Sequence, residues 1–250
     1  MKNSEKYLFS DFTLSHYEKI LNRLKENHVF SNYTNYNMNT NFVINRHDVD
    51  FSIDNALNIA EIEADLGVSS TYFLMLCSKY YNLLEYENIQ KIKKIIKLGH
   101  KIGLHFDAQF YDISNQKDLD NKINFEKTIL EGYFDVKVEV FSFHNTTDFT
   151  MSCENHTYGG LINTYSQFFK ENLGYCSDSN GHWRFNRMID FVKENENKKL
   201  QILTHPVWWT REIDSPKMKI VKFMDNQAEG KKQFYHNLRI KRKRKNIDWE

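Results

Sequence analysis

The chain is poor in the residues that staple or break structure. Its three cysteines, Cys77, Cys153 and Cys176, are odd in number and far apart, with no Cys-x-x-Cys pair. That excludes a disulfide framework and a thiolate metal site, and leaves buried or free thiols. No apolar stretch of signal-peptide length opens the sequence and no later run could span a membrane, so the expected compartment is the cytoplasm. Charge of one sign is not in excess either: 34 Lys+Arg stand against 33 Asp+Glu, a formal +1. A surface tuned throughout for nucleic acid is thereby excluded. The exception is the basic run Arg239-Ile240-Lys241-Arg242-Lys243-Arg244-Lys245. It reads as a solvated tail or final helix turn rather than as a contact for phosphate or anionic lipid. Proline is confined to Pro206 and Pro216 while Asn, Lys and Ile are abundant, a bias that an AT-rich coding sequence produces and that carries no functional inference.

What is present is a rhythm of strands and helices. An amphipathic helix is expected over Thr13 to Glu26, with Leu14, Tyr17, Leu21 and Leu24 at helical spacing. The polar and aromatic segment from Asn27 to Thr40 reads as a connection. Phe42-Val43-Ile44 is a short buried-strand candidate running into Arg46-His47-Asp48-Val49-Asp50. Asp54 can cap the next helix, whose stripe of Ala56, Leu57, Ala60 and Ala64 stops at Gly67. Further strands are expected at Thr71 to Leu76, Lys101 to His105, Val138 to His144, Tyr175 to Ser177 and Leu200 to Thr204. Helices marked by Ile89, Ile92, Ile95 and Ile96, and then by Asp118 to Glu131, fall between them. This alternation implies mostly parallel pairing, in a barrel or an open sheet. With no composition break and no internal repeat, residues 1–250 are expected to be one domain. Its motif-bearing core covers about 42–210, with the first helix and the basic tail as decorations.

The polar residues fall at the carboxyl ends of these strands. Asp48 and Asp50 follow the first, His105 and Asp107 the third, and His144 the fourth, while Asp178 follows the Tyr175 strand and His205 ends the last. In parallel α/β architectures all such ends share one face, where loops build the active site. Asp and His together suit zinc and other divalent first-row metals. A hydrolytic site also needs a base for water and an acid for the leaving group. Each residue has a plainer use when taken alone. Asp48 or Asp50 can cap a helix, and His105 or His144 can be a satisfied core histidine. As a pair, Asp48 and Asp50 would point the same way in an extended strand, a costly arrangement without a cation or proton between them. His16, His28, His156, His182 and His236 lack such a setting, and a cap role is sufficient for His100.

The assembled motifs resemble the polysaccharide deacetylase family, the carbohydrate esterase 4-like group. The resemblance rests on Arg46-His47-Asp48-Val49-Asp50-Phe51-Ser52, on Gly67-Val68-Ser69-Ser70-Thr71-Tyr72-Phe73 and on Gly99-His100-Lys101-Ile102-Gly103-Leu104-His105. It is closest to a branch with an HDVD start, a GLHFD middle and a THPxWW end, the last being Thr204 to Trp209. The resemblance implies a distorted (β/α) barrel with about seven parallel strands, Asp48 as catalytic base, Asp50 and His105 as metal ligands and His205 as general acid. One departure stands out: Gln109 occupies the place of the family's second ligand histidine. His144 is then the preferred third ligand and Asp107 the second choice. Asp178 would orient a catalytic group or contact substrate, or form a plain turn. Arg46 would pair with Asp48 and hold it ionised. Trp208 and Trp209 would form a platform for a sugar ring or else close the barrel.

The expected function is therefore metal-dependent hydrolysis, with zinc as the first-choice cofactor, of an N-acyl group (acetyl before others) on an amino sugar in surface-glycan biosynthesis. The amino sugar is the expected partner, with no nucleic acid and no transmembrane segment. The alternatives are hydrolysis of another amide, such as a formamide or cyclic amide, and a non-catalytic carbohydrate-binding barrel.

Overall fold

The computed structural model describes residues 2–242, 245 and 247, so Lys243 and Arg244 of the basic run lie outside the described residues. After a short α1 (Asn3–Lys6), helix α2 (Leu14–Asn27) starts at Thr13, whose hydroxyl accepts from the His16 amide, and it buries Leu14, Tyr17, Ile20, Leu21 and Leu24. The segment expected to be a simple connection contains a strand, β1 (Val29–Ser31). Strand β2 (Phe42–Val49) is buried along its whole length. It therefore runs five residues past the apolar stretch that marks its start, straight through Asn45, Arg46, His47 and Asp48. Neighbours on both sides impose this, because β2 pairs with β1 at Phe42 to Ile44, with β3 at Arg46 to Val49, and with β9 at Val43 to His47.

Helix α3 (Ile53–Asp65) is capped by Ser52, not Asp54, since the Ser52 hydroxyl accepts from the Asn55 amide. Its buried stripe is Ile53, Ala56, Ile59, Ala60 and Glu63, so a carboxylate sits where Leu57 and Ala64 were expected to pack. Strand β3 (Thr71–Leu74), α4 (Tyr86–Lys97), β4 (Lys101–Phe106) and α5 (Gln116–Phe134) continue the alternation. Gly103 in β4 meets the Phe73 ring face on: a Cβ there would lie 2.6 Å from ring carbons, so only glycine lets the two strands pack at this level. Then follow β5 (Val140–Phe143), α6 (Asp148–Ser152), β6 (Thr157–Tyr158), β7 (Leu161–Asn163), α7 (Gln167–Asn172), β8 (Gly174–Ser177), α8 (Met188–Glu194), β9 (Leu200–Thr204) and α9 (Pro216–Lys241).

The sheet runs β6-β7-β5-β4-β3-β2-β9-β8, with β1 beside the lower half of β2. From β7 to β8 every pairing in that path is parallel, and only the β6–β7 hairpin is antiparallel. Among the described residues no ladder joins β8 back to β7, so the sheet curls into a distorted, open (β/α) half-barrel of mostly parallel strands. Alternation along β2 separates two environments. Phe42 and Ile44 join Tyr33, Phe73, Val140, Phe169 and Leu173 in a plug inside the barrel, while Val43 and Val49 pack outward into the main core under the helices. The plug fills the lower part of the interior, and Arg46 and Asp48, next on the same face, stand above it. No described helix is long and apolar enough to cross a membrane.

Candidate active site and metal centre

The parallel strands deliver their carboxyl ends to one cavity of about 430 Å³, lined by Asp48, Asp50, His105, His144 and His205 together with Tyr165, Tyr175, Asn145 and Asn180. Asp48 comes from β2, and Asp50 follows two residues later. His105 is the penultimate residue of β4. His144 follows β5, and its backbone amide donates to the Phe106 carbonyl at 2.8 Å, which sets it beside His105. His205 follows β9.

Asp50, His105 and His144 offer three ligand atoms within 4.8 Å of one another. The His105 Nε2 lies 2.9 Å from Asp50 Oδ1, and His144 Nδ1 lies 3.5 Å from the same oxygen and 3.3 Å from His105 Nε2. The Ser142 hydroxyl donates to Asp48 Oδ1 at 3.3 Å, because a carboxylate only accepts. Ser142 Oγ must then accept from His105 Nδ1 at 2.7 Å, so a neutral His105 presents the lone pair of Nε2 to the cavity. Asp50 Oδ1 is buried without a hydrogen-bond donor. Two lone pairs facing one another are repulsive unless a cation joins them. His144 Nε2 is 2.7 Å from the Asn145 amide, which, turned to present its oxygen, accepts that proton and frees Nδ1 as a ligand. One carboxylate oxygen and two imidazole nitrogens fit zinc or a similar divalent ion. Without an ion, protons on His105 and His144 would face Asp50 instead, and such contacts outweigh burial and hold its carboxyl well below the usual carboxylate range.

Asp48 lies at the inner side of this cluster. The Arg46 guanidinium donates to its Oδ2 at 3.0 Å, and both side chains are buried. Across the cavity, His205 is gripped by Asp178. Its backbone amide donates to Asp178 Oδ2 at 2.7 Å and its Nδ1 to Oδ1 at 2.6 Å, while Trp209 Nε1 donates to Oδ2 at 2.9 Å. Nε2 is left pointing to the cavity, 3.9 Å from Asp50 Oδ2. Burial works against a charge on His205, yet Asp178 first, and then Asp50 and Asp48, push it up to about 9. The imidazole therefore carries a proton at neutral pH.

A second polar cluster underlies the site on the outer face of β2. Glu63 of α3, fully buried, accepts from Tyr17 and Tyr72 at 2.6 Å each, from Asn45 at 2.6 Å and from Ser70 at 2.7 Å, with His47 Nε2 at 2.8 Å. His47 Nδ1 reaches the Thr204 hydroxyl at 2.6 Å, one residue before His205. Burial raises the Glu63 carboxyl, but His47 and the surrounding donors bring it down to about 2. The cluster ties α2, β2, α3, β3 and β9 together directly beneath Asp48 and His205. His100 belongs to its margin: buried, it accepts from the Ser70 amide and pairs with the Ala60 carbonyl, more than the expected helix cap. His28, expected to be a surface or loop residue, is buried at the end of α2 and lies 3.0 Å from the Lys198 carbonyl.

Several expected site residues have other roles. Trp208 and Trp209 are 7% and 1% exposed and pack into the main core, so they cannot offer a platform to a sugar. Tyr175, 48% exposed and lining the cavity, is the ring available there, and it lies within the strand that sequence reasoning placed correctly but credited with no site residue beyond Asp178. Asp178 is fully buried and holds His205, so it does not touch substrate. Arg46 is buried behind Asp48 and lies outside the cavity lining. Asp107 stays outside the ligand cluster, because its Oδ1 accepts from the amides of Gln109 and Phe110 in a local turn. Gln109 donates to the Asn145 carbonyl at 2.8 Å. Glu63 was missed, although its place at the buried i, i+3, i+7 spacing of α3 was a readable signal.

No family model matches the chain, and no curated protein matches it. Among solved structures, it resembles the peptidoglycan deacetylase PdaC from Bacillus subtilis, with 15% identity, coverage of 82% of this chain and 99% of that one, and a TM-score of 0.48. It also resembles the Xyl-CE4 domain of a multidomain xylanase from the hindgut metagenome of Trinervitermes trinervoides, at 11% identity, 76% and 82% coverage and a TM-score of 0.44. A CE4 family pseudoenzyme from Bacillus anthracis matches at 13% identity and a TM-score of 0.43, over 76% of this chain and 63% of that one. What the site does is read from its own side chains.

Proposed function

We propose that this chain is a metal-dependent hydrolase that removes an N-acyl group, acetyl in the simplest case, from an amino sugar. The observation that carries the reading is the two-sided cavity. Asp48 stands beside a three-ligand cluster on one side, and a protonated histidine oriented by a buried carboxylate stands on the other. Asp50 Oδ1, His105 Nε2 and His144 Nδ1 would hold the ion, zinc being the best match to this donor set. When bound, a divalent ion supplies a Lewis acid for the acyl carbonyl and acidifies water.

The chain's own residues divide the proton work. Asp48, which accepts from Arg46 and from the Ser142 hydroxyl, takes the proton of the attacking water. His205 donates from Nε2 to the leaving nitrogen as the C–N bond breaks, and Asp178 keeps the ring in the tautomer and orientation that this requires. Tyr175 offers a ring face to the sugar, while Asn145, Ser179 and Asn180 offer hydrogen bonds to its hydroxyls. A cavity of about 430 Å³ lies within the range for small-molecule sites. A nucleotide-linked or precursor amino sugar of surface-glycan assembly is the substrate setting that we infer.

The test combines metal binding with acetate release. Purified protein should bind one equivalent of zinc, and His144→Ala should weaken binding at least about 100-fold, since even outer-shell partners of a metal site are worth 10–100-fold. Zinc-loaded protein should release acetate from N-acetylated amino sugars, free or nucleotide-linked, and Asp48→Asn should lower that rate at least about 100-fold. Failure of zinc-loaded protein to release acetate, or wild-type turnover by Asp48→Asn, would overturn the reading.

A further inference from the structure

Helix α9 has two unlike halves. The first is tied to the barrel: the Ser215 hydroxyl caps it, the buried Lys219 donates to the Phe12 and Trp208 carbonyls, and Phe223 packs edge-on against Phe51. The second half begins near Gly230 and runs into the basic stretch. Residues 230–245 contain eight lysines and arginines and no acid. The remaining residues therefore hold 26 Lys+Arg against 33 Asp+Glu, a formal −7 set against +8 in the segment. The near-neutral total thus conceals an acidic body with a cationic arm. Among the described residues the segment makes one ion pair, the exposed Lys232–Glu229 contact at 3.5 Å. Apart from that contact, none of its described cations is paired with an acid.

Apolar groups stand among these cations. Phe234 and Ile240 are each 63% exposed, and Ile247 is 64% exposed, while Lys231, Lys232 and Lys241 are exposed around them. A helix end that carries exposed lysine and arginine together with solvent-facing aromatic and aliphatic side chains offers both kinds of group that the boundary of an anionic bilayer takes up. There the headgroups attract the cations and the acyl boundary accepts the apolar groups. A nucleic acid offers the charge but no apolar layer for Phe234 and Ile240. We propose that the cationic end of α9, residues 230–242, docks this protein on an anionic lipid surface. The acidic body is repelled by the same surface, so contact is confined to the arm and the barrel is held away from the headgroups.

Co-sedimentation of the full chain with vesicles tests this. Vesicles of phosphatidylglycerol and phosphatidylcholine in equal parts should bind it, vesicles of phosphatidylcholine alone should not, and high salt should release it. The triple variant Lys231→Glu, Lys241→Glu, Arg242→Glu should lose at least about tenfold in affinity with an unchanged circular dichroism spectrum. The double variant Phe234→Ser, Ile240→Ser should also weaken vesicle binding, which a purely ionic contact would not show. The proposal is overturned by equal binding to both vesicle types, by no binding to the anionic ones, or by an unaffected triple variant. It is equally overturned if a DNA duplex binds more tightly than the anionic vesicles and is indifferent to the serine pair.

Discussion

Replacing Asp178 by asparagine removes one charge while nearly preserving shape, and the structure sets the size of the effect. Asp178 receives three donors, from the His205 amide, His205 Nδ1 and Trp209 Nε1, and is fully buried. His205 stands at about 9 in its presence, although burial alone would depress it. The distance from the ordinary imidazole value near 6.5 corresponds to about 3 kcal/mol favouring the charged form. Asparagine keeps an accepting oxygen on one side only, sets its NH2 against a donor on the other and withdraws the charge, so the imidazole should fall by about 1–3 pH units. The sign for stability follows from linkage. A group whose folded pKa is raised stabilises the fold fully below its unfolded value, near 6.5, and that contribution disappears as pH rises through about 9. Chelator-treated wild type should therefore lose up to about 3 kcal/mol from this source between pH 6.5 and 9.5, and Asp178→Asn should not. Imidazole NMR titration reads the pKa directly, and urea unfolding at the two pH values reads the energy. A His205 resonance in the variant that titrates within about half a unit of wild type would refute the assignment of the shift to Asp178.

Two further perturbations test other parts of the fold. Glu63→Ala strands the buried donors of Tyr17, Asn45, Ser70 and Tyr72 and should cost about 3–5 kcal/mol in chemical unfolding, whereas a loss under about 1 kcal/mol would show that the cluster is dispensable. Glu126, buried with Oε2 unpartnered, is pushed up to about 7 by burial. The native state therefore binds its proton more tightly than the unfolded chain, and stability should decline by up to about 3 kcal/mol as pH rises from about 4.5 through about 7. Glu126→Gln should remove this decline and make the variant the more stable protein at pH 8; identical pH profiles for the two proteins would contradict the assignment.

The parts of the site that were readable share one physical property: they depend only on local order along the chain. Parallel strands connected by helices must present their carboxyl ends together, so Asp48, Asp50, His105 and His205 could be assigned to one face before any coordinates. The burial of the polar half of β2 could not, because Asn45 to Asp48 are covered only when β3 and β9 flank them along the whole strand. The cap on α3 and the carboxylate in its stripe were misread for a similar reason: Ser52 and Asp54 are both good caps, and a glutamate is apolar-facing only when other elements bring donors to it.

From the sequence alone came the alternating α/β architecture, the charge balance with its basic exception, the Asp-x-Asp pair and the histidines at strand ends. Which residue completes the metal cluster was decided by tertiary structure. His144 is carried to His105 by the pairing of β5 with β4, whereas Asp107, closer in sequence, spends its oxygen on the amides of its own turn. The fate of the tryptophans was decided in the same way: Trp208 and Trp209 are buried, and the indole of Trp209 serves Asp178 instead of a substrate. Register between strands and the direction of a side chain arise from contacts between distant segments, and a linear pattern does not contain them.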